Sequence, residues 1–481
     1  MTFSEYANKS VHELRVLIQL DIGKQNLQWV NIGAGIWYCN FNGLYPEVGA
    51  PGDDLLKGFT SQIFGDIGSV LIDNVNYVKV NSVELLSTTE ISFYYDIINN
   101  KIYIHLINND EPYLHFITLG VINGFSYDDY TPINSETNYS ARLLNAINLT
   151  ESRDPLFFGK IQYNQGNISL INNDGFFDSF VLSNDFYGNS VRILIGFKDL
   201  DISEYELLYS ATISKVELNE NTFDISLSDK RKALSKTITY TCTAKNALEA
   251  IRELLYTNYG AIYNSVYYNT TQWATCESIV DNVSIDIQSG KSTQDKPMIE
   301  IIEDICGSIF GLFKIEPDGK YNFKIVDTTS SASATITSND VINQHLITYD
   351  PLEVISSTKI GYAKNWDEGY TSPYTFYTDV SQEQSIFRKY KVYTQKQFNT
   401  LLTNSSDAIT FSDIVLNYSK DVHGIGSVEV PLKYYAIQIG DIVNIEINRE
   451  TTTLLGTVKC EIISKSLELE MGFITFGYRI I

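Results

Sequence analysis

Residues 166–178 read Gly166-Asn167-Ile168-Ser169-Leu170-Ile171-Asn172-Asn173-Asp174-Gly175-Phe176-Phe177-Asp178. Ile168 and Leu170 alternate with polar neighbours, the period of a strand with one wet face. Asn172-Asn173-Asp174-Gly175 then supplies residues that tolerate positive φ or hydrogen-bond their own backbone, so the strand ends in a tight turn. The same alternation returns at 69–83, 101–106, 191–197, 221–227 and 441–447. Asn108-Asn109-Asp110, Asn219-Glu220-Asn221 and Pro317-Asp318-Gly319 punctuate the chain as further turns. With 33 Tyr and 24 Phe beside abundant Ile, Val and Thr, the side chains suit a pleated, half-buried surface, and the chain is expected to be mainly β.

Two segments break this period. Ala247, Leu248, Ile251, Leu254 and Leu255 fall on one helical face closed by Gly260, and Met298, Ile301, Ile302, Ile305 and Ile309 do the same between Pro297 and Gly311. A helix, a β-rich insert and a second helix are expected between about 243 and 310. A hairpin over 313–326, turning at Asp318-Gly319, then closes a small α/β module. Polar stretches at 129–138 and 328–338 bury too little to fold alone. The expected division is an N-terminal β domain (1–130), a β-barrel (131–240), the small α/β domain (241–345) and a C-terminal β-barrel (346–481). No fixed-period repeat points to a propeller or solenoid.

A length of 481 residues with 44% apolar side chains is enough for several cores. Lys+Arg 35 against Asp+Glu 58 leaves a net charge of −23, and the densest basic run is only Lys230-Arg231-Lys232. A sequence-reading nucleic-acid binder needs the opposite balance. No stretch approaches the roughly 18 apolar residues of a membrane span, and the first nine residues lack signal-peptide character, so no membrane anchor or export is expected. Cys39, Cys242, Cys276, Cys306 and Cys460 are odd in number and never spaced Cys-x-x-Cys, which favours small core residues over a disulfide framework or zinc knuckle. The Asn-x-Ser/Thr matches, such as the one at Asn148, carry little weight in a chain this rich in those residues.

The remaining candidates for chemistry are weak. Gly290-Lys291-Ser292 precedes a helix, but a phosphate loop needs glycine where Ile285 stands. His105 and His115 would meet only across a hairpin, and two satisfied surface histidines are the simpler outcome. Asp174 and Asp178 have the types of an acid–base pair, yet an aspartate in a turn and another at a strand edge explain them equally. Tyr256, Tyr259, Tyr263, Tyr267 and Tyr268 suit either a sugar-stacking platform or an amphipathic core and interface. No catalytic residue, metal ligand or cofactor is expected.

The order of these blocks resembles the tail-hub, or baseplate-hub, family of tailed bacteriophages, which is shared with contractile injection machines. Phe93-Tyr94-Tyr95-Asp96, 100–106 and Asp110-Glu111-Pro112 are similar to the first-domain pattern. The 166–178 block, followed by 191–196, 211–216 and 223–229, is similar to the strand and turn order of a hub barrel. The module at 247–325 and the closing segments Val428-Glu429-Val430-Pro431-Leu432, Gly440-Asp441-Ile442-Val443-Asn444-Ile445 and 462–478 complete the likeness, which covers the chain from about 70 onward.

What the resemblance implies is tandem β-barrel domains and a non-enzymatic virion protein at the phage tail tip, assembled in the host cytoplasm. It implies a ring, of three copies, joining the tail tube or distal tail protein to a central spike or fibre protein, with genomic DNA passing through the lumen without specific binding. Asp174, Gly175, Asp178, Asp318, Gly319, Gly440 and Asp441 match the family pattern as structural turns. A negative wall suits such a channel, since a surface that gripped phosphates would stall the DNA, although screening over about 8 Å confines this to the wall itself. The alternative is a tail-associated glycan-binding or polysaccharide-depolymerising protein, motivated by the tyrosines and carboxylates. A secreted adhesin is the third possibility, and the missing signal peptide counts against it.

Overall fold

The computed structural model describes residues 14–24, 30–33, 36–40, 67–72, 75–76, 78–80, 82, 85, 92–96, 101–105, 117–135, 139–145, 149–153, 159–163, 166–183, 186, 190–280, 282–288, 296–344, 347–350, 353–366, 375–448, 453–469 and 472–481. They form a mainly β protein with a small α/β module, and its large sheets are curled half-barrels. His12, His115, His345, Gly290-Lys291-Ser292 and the expected turn at Asn108-Asn109-Asp110 lie outside the described residues.

The chain divides into two compact units, one drawn from 1–147, 165–230 and 316–319 and the other from 148–164, 231–315 and 320–481. Residues near either end of the first 240 therefore share a sheet: Leu14–Lys24 runs antiparallel to Ser190–Phe197, from Leu14 opposite Phe197 to Leu20 opposite Val191. Limits read from composition follow chain order, whereas strand pairing does not.

In the first unit, a ten-stranded sheet runs Leu143–Asn145, Asn167–Ile171, Thr222–Asp229, Glu206–Leu218, Ser190–Phe197, Leu14–Lys24, Ile117–Ser126, Ile67–Ile72, Val75–Asn76, with Tyr139–Ala141 beside Ile117–Ser126. Five consecutive residues, Val16, Leu17, Ile18, Gln19 and Leu20, are buried, so both faces of this strand are covered. Gln19 is satisfied by donating to the Tyr139 hydroxyl at 2.6 Å. Register shifts in Ser190–Phe197 and Glu206–Leu218 insert bulges, which bend strands and curl the sheet. A five-stranded sheet (Val30–Gly33, Ile36–Asn40, Lys101–His105, Ser92–Asp96, Val78–Lys79) completes this unit's described strands.

The second unit holds a nine-stranded sheet built on the path Ile161–Tyr163, Leu149–Arg153, Thr453–Glu468, Phe473–Ile480, Gly424–Pro431, Asn343–Gln344. Ile442–Asn448 pairs with Thr453–Glu468 and is flanked by Ala334–Ile336. Helix Ala247–Tyr259 starts where Asn246 accepts from the amides of Leu248 and Glu249 and stops at Gly260, φ 64°, as its spacing predicts. Helix Met298–Ser308 and the hairpin Gly311–Ile315/Tyr321–Ile325 follow. The insert between the two helices contains a third, Thr270–Val280, where the sequence reading expects strand. Its Trp273 is buried and donates to the Tyr321 carbonyl at 3.0 Å, so tertiary packing outweighs the modest intrinsic preference of this Thr-rich stretch.

Helix Ser405–Ser419 is also unexpected. Ala408, Phe411, Val415 and Leu416 recur at helical spacing and are buried in one core with Phe310, Leu312, Ile355, Ile360 and Leu402. No described helix is long and apolar enough to cross a membrane.

Candidate functional site

The stretch that decides the fold forms a braced corner. Strand Asn167–Ile171 ends at buried Asn172, whose side chain accepts from the Phe177 amide at 2.8 Å and donates to the Asp178 carboxylate at 2.9 Å and the Asn219 carbonyl at 3.1 Å. Gly175 takes φ 70°, and a Cβ there would stand 3.2 Å from Asp178 Oδ2. An L side chain strains in that left-handed region. Asp178 is therefore in the first turn of a helix, Phe176–Ser183, where a carboxylate complements the dipole, and not at a strand edge.

Beneath the corner, Phe177 stacks on Phe223 at 4.6 Å and tilts against Phe125. Arg142 grips Asp174 with both nitrogens, at 2.9 and 2.7 Å, while its guanidinium lies 4.0 Å from the Phe176 ring centre. Those hydrogen bonds hold the Asp174 carboxyl below the usual range. Asp174 and Asp178 are thus brought together as parts of a turn, each committed to a structural partner. A carboxylate held ionised by a bidentate arginine is a poor proton donor at neutral pH.

The other turn residues sit elsewhere. Gly319 has φ 90° and closes its turn by donating to the Glu316 carbonyl at 2.8 Å. Gly440 has φ 77°, and a Cβ on it would lie 3.0 Å from Leu312. Asp441 accepts from the Gln438 amide at 2.7 Å and pairs with the Lys324 ammonium, so it ties the turn to the module's hairpin. Burial pulls the Lys324 ammonium below its ordinary value, and Asp441 opposes the shift. Of the tyrosines, Tyr267 and Tyr268 are buried and Tyr256 is exposed. Tyr268 packs edge-on against Trp273 at 5.2 Å. This part of the cluster is core and offers no open stacking face.

A second polar centre had no signal in the sequence. Arg153, at the end of strand Leu149–Arg153, and Glu461, inside strand Thr453–Glu468, are both fully buried and paired. Tyr418, from helix Ser405–Ser419, accepts from Arg153 at 2.8 Å and donates to the other Glu461 oxygen at 2.5 Å. Arg479 donates to the Tyr418 carbonyl at 2.7 Å and lies 3.8 Å from the tyrosine ring centre.

Burial pushes the Tyr418 phenol up, and the Glu461 charge adds to the shift. For Arg153 burial favours deprotonation, yet Glu461 outweighs it and the guanidinium is held charged. A buried pair tied by hydrogen bonds from three elements fixes a geometry. Arg153 and Glu461 stand 308 positions apart, so no spacing rule brings them together.

Among the described residues, no group of three or more His, Cys, Asp or Glu could hold a metal ion. Cys242, Cys276, Cys306 and Cys460 are free, buried thiols, and burial raises each of them above its ordinary range. Thiols so shifted are poor nucleophiles.

What these features define is a class: a mainly β protein of two units whose polar centres brace the fold. No protein-family model and no curated protein matches the chain. Solved structures do resemble it at low identity. The tail protein of Neisseria meningitidis is 12% identical with a TM-score of 0.42, covering 69% of this chain and 91% of that one. The 43 kDa tail protein of prophage MuSo2 from Shewanella oneidensis is 13% identical with a TM-score of 0.43, covering 72% and 96%. Prophage tail protein gp18 of Listeria monocytogenes is 11% identical with a TM-score of 0.41, covering 72% and 91%.

Proposed function

We propose that the chain is a structural hub of a phage tail tip or a related tail-like machine, a virion component assembled in the host cytoplasm. In this reading three copies form a ring that joins the tail tube to a central spike or fibre and lines a channel for passing DNA. The observation that carries it is the pair of curled, unclosed sheets. The larger ends at Leu143–Asn145, Val75–Asn76 and Tyr139–Ala141, the other at Ile161–Tyr163, at Ala334–Ile336 and at Asn343–Gln344 with Thr348–Tyr349, and no described strand pairs beyond these edges.

A half-barrel leaves backbone donors and acceptors that a closed barrel would satisfy. Association about a symmetry axis satisfies them in every copy at once. The segment order of the sequence and the net charge of −23 support the same role, and the reading does not rest on the low-scoring likenesses of chain path. Catalysis has no part in it. Asp174, Gly175, Asp178, Asp318, Gly319, Gly440 and Asp441 serve as turns that set the strand order, and 241–345, which belongs to the second unit except for 316–319, acts as a module. Asp174 gripped by Arg142 and Tyr268 packed in the core weaken the glycan-cleaving alternative, although Tyr256 and Tyr263 of the cluster are exposed.

Light scattering of the purified chain across concentration, with electron microscopy of the peak fraction, tests the proposal. A particle of three times the chain mass with a central hole is the expected result. A monomer at high concentration, together with absence of the chain from tail particles, would overturn it.

A further inference from the structure

The second unit contains a cavity of about 290 Å³ between helix Thr270–Val280, helix Ser405–Ser419 and the hairpin Gly311–Ile315/Tyr321–Ile325. That is near the lower end of ligand-pocket sizes, roughly 300–1,000 Å³, with room for one large apolar side chain. Helix Ser405–Ser419 presents Asp407, Thr410, Phe411, Ile414 and Asn417 to it, the i, i+3, i+4, i+7 stripe of a single face. Phe310, Leu402 and Phe411 in the wall are buried, at 5%, 2% and 3% exposure, whereas Ile279 and Ile414 are 53% and 41% exposed. The apolar surface therefore continues from a dry interior out over the mouth.

Two carboxylates, Asp327 and Asp407, line the same cavity, and no lysine, arginine or histidine does so among the described residues. Lys459 donates to the Thr328 carbonyl at 2.9 Å from outside the lining. Asp327 is oriented by the amide and hydroxyl of Thr329, at 2.9 and 2.6 Å, and Asp407 by the Asn404 side chain at 2.9 Å. Both carboxylates keep oxygen lone pairs for a further donor.

We infer that this cavity is a docking site for a segment of a partner protein that inserts one apolar anchor side chain and carries lysine or arginine beside it. A small apolar molecule would leave exposed Ile279 and Ile414 wet, whereas a chain segment covers them while its anchor fills the interior. Charge complementarity selects the flanks: cations meet Asp327 and Asp407 on a chain of −23, and anions are repelled. The site goes beyond the ring proposal and does not depend on it, because its residues all come from one unit of one chain.

The test uses the full chain and three peptides followed by ligand-observed NMR titration: acetyl-Lys-Leu-Phe-Lys-amide, its counterpart with both lysines replaced by glutamate, and acetyl-Lys-Ser-Ser-Lys-amide. The first peptide is expected to bind at least about tenfold tighter than either of the others, a difference of about 1.4 kcal/mol. Ile414→Arg should weaken it about tenfold. Ile409→Arg makes the same charge change at an exposed position of the same helix that does not line the cavity, and it should leave affinity within about twofold. Equal binding of the anchorless or acidic peptide, an equal loss in both variants, or no binding of the first peptide would each overturn the inference. None of these outcomes bears on whether the chain forms a ring.

Discussion

The corner at Asn172 and the buried centre at Arg153 both brace β structure with polar groups, and they differ in how much chain they span. At the corner, Asn172, Asp174, Gly175 and Asp178 lie within seven positions, two of the Asn172 bonds close over a single turn and the start of a helix, and the longer reaches, to Arg142 and Asn219, are 32 and 47 positions. In the other, a strand end, a helix and a distant strand meet through groups 265 and 308 positions apart. The corner ion pair is partly open to water, with Asp174 53% exposed, whereas Arg153 and Glu461 are at 0%. Water can replace the Arg142–Asp174 contact and cannot reach the Arg153–Glu461 pair. Local braces are thus readable and forgiving, and distant ones are silent in the sequence and severe.

The contrast predicts an order of effects. Glu461→Ala leaves Arg153 charged in a dry site and should destabilise the chain by about 3–5 kcal/mol, read as a drop in the urea midpoint of unfolding followed by circular dichroism. Asn172→Ala deletes one acceptor and two donor contacts at the corner, and about 2 kcal/mol is expected by the same measurement. If it proved the more damaging of the two, the corner would be the stronger brace and the comparison would fail.

Gly175→Ala is expected to cost about 1 kcal/mol, since the backbone there is left-handed and Asp178 Oδ2 stands close to the added carbon. A neutral result would mean that the turn relaxes without loss. The smallest effect is pH-dependent. Arg142 depresses the folded pKa of Asp174, so the stabilisation is fully present above the unfolded value of about 3.9 and is lost as pH falls through the folded value. Asp174→Asn should therefore be less stable than the parent chain at pH 7, with the gap closing in acid and shrinking in high salt. A gap that does not change with pH would assign Asp174 a role other than its charge.

Much of the secondary structure was legible. The helix from Ala247 and the helix after Pro297 stand where their apolar spacing places them, as do strands at Lys101–His105, Ser190–Phe197, Thr222–Asp229 and Ile442–Asn448. The helix Phe176–Ser183 was missed although Phe176, Phe177, Phe180 and Val181 repeat at i, i+1, i+4, i+5. Aromatic and β-branched residues favour strand as a class, and over eight residues that preference masked the spacing. Helix Ser405–Ser419 was missed for a related reason, its Ser, Thr and Ile content, despite an Asn404 cap and a buried stripe.

By itself the sequence determined the mainly β character, the turns at Gly175 and Gly319, and two helices of the small module. Each depends on residues within about a dozen positions, where backbone geometry and side-chain period act directly. Tertiary structure alone decided that Leu14–Lys24 lies beside Ser190–Phe197, that Arg153 meets Glu461, and that the face of Ser405–Ser419 walls a cavity edged by two carboxylates. Those meetings are set by burial and pairing summed over the whole chain, and no local pattern encodes which distant partner satisfies a given face or charge.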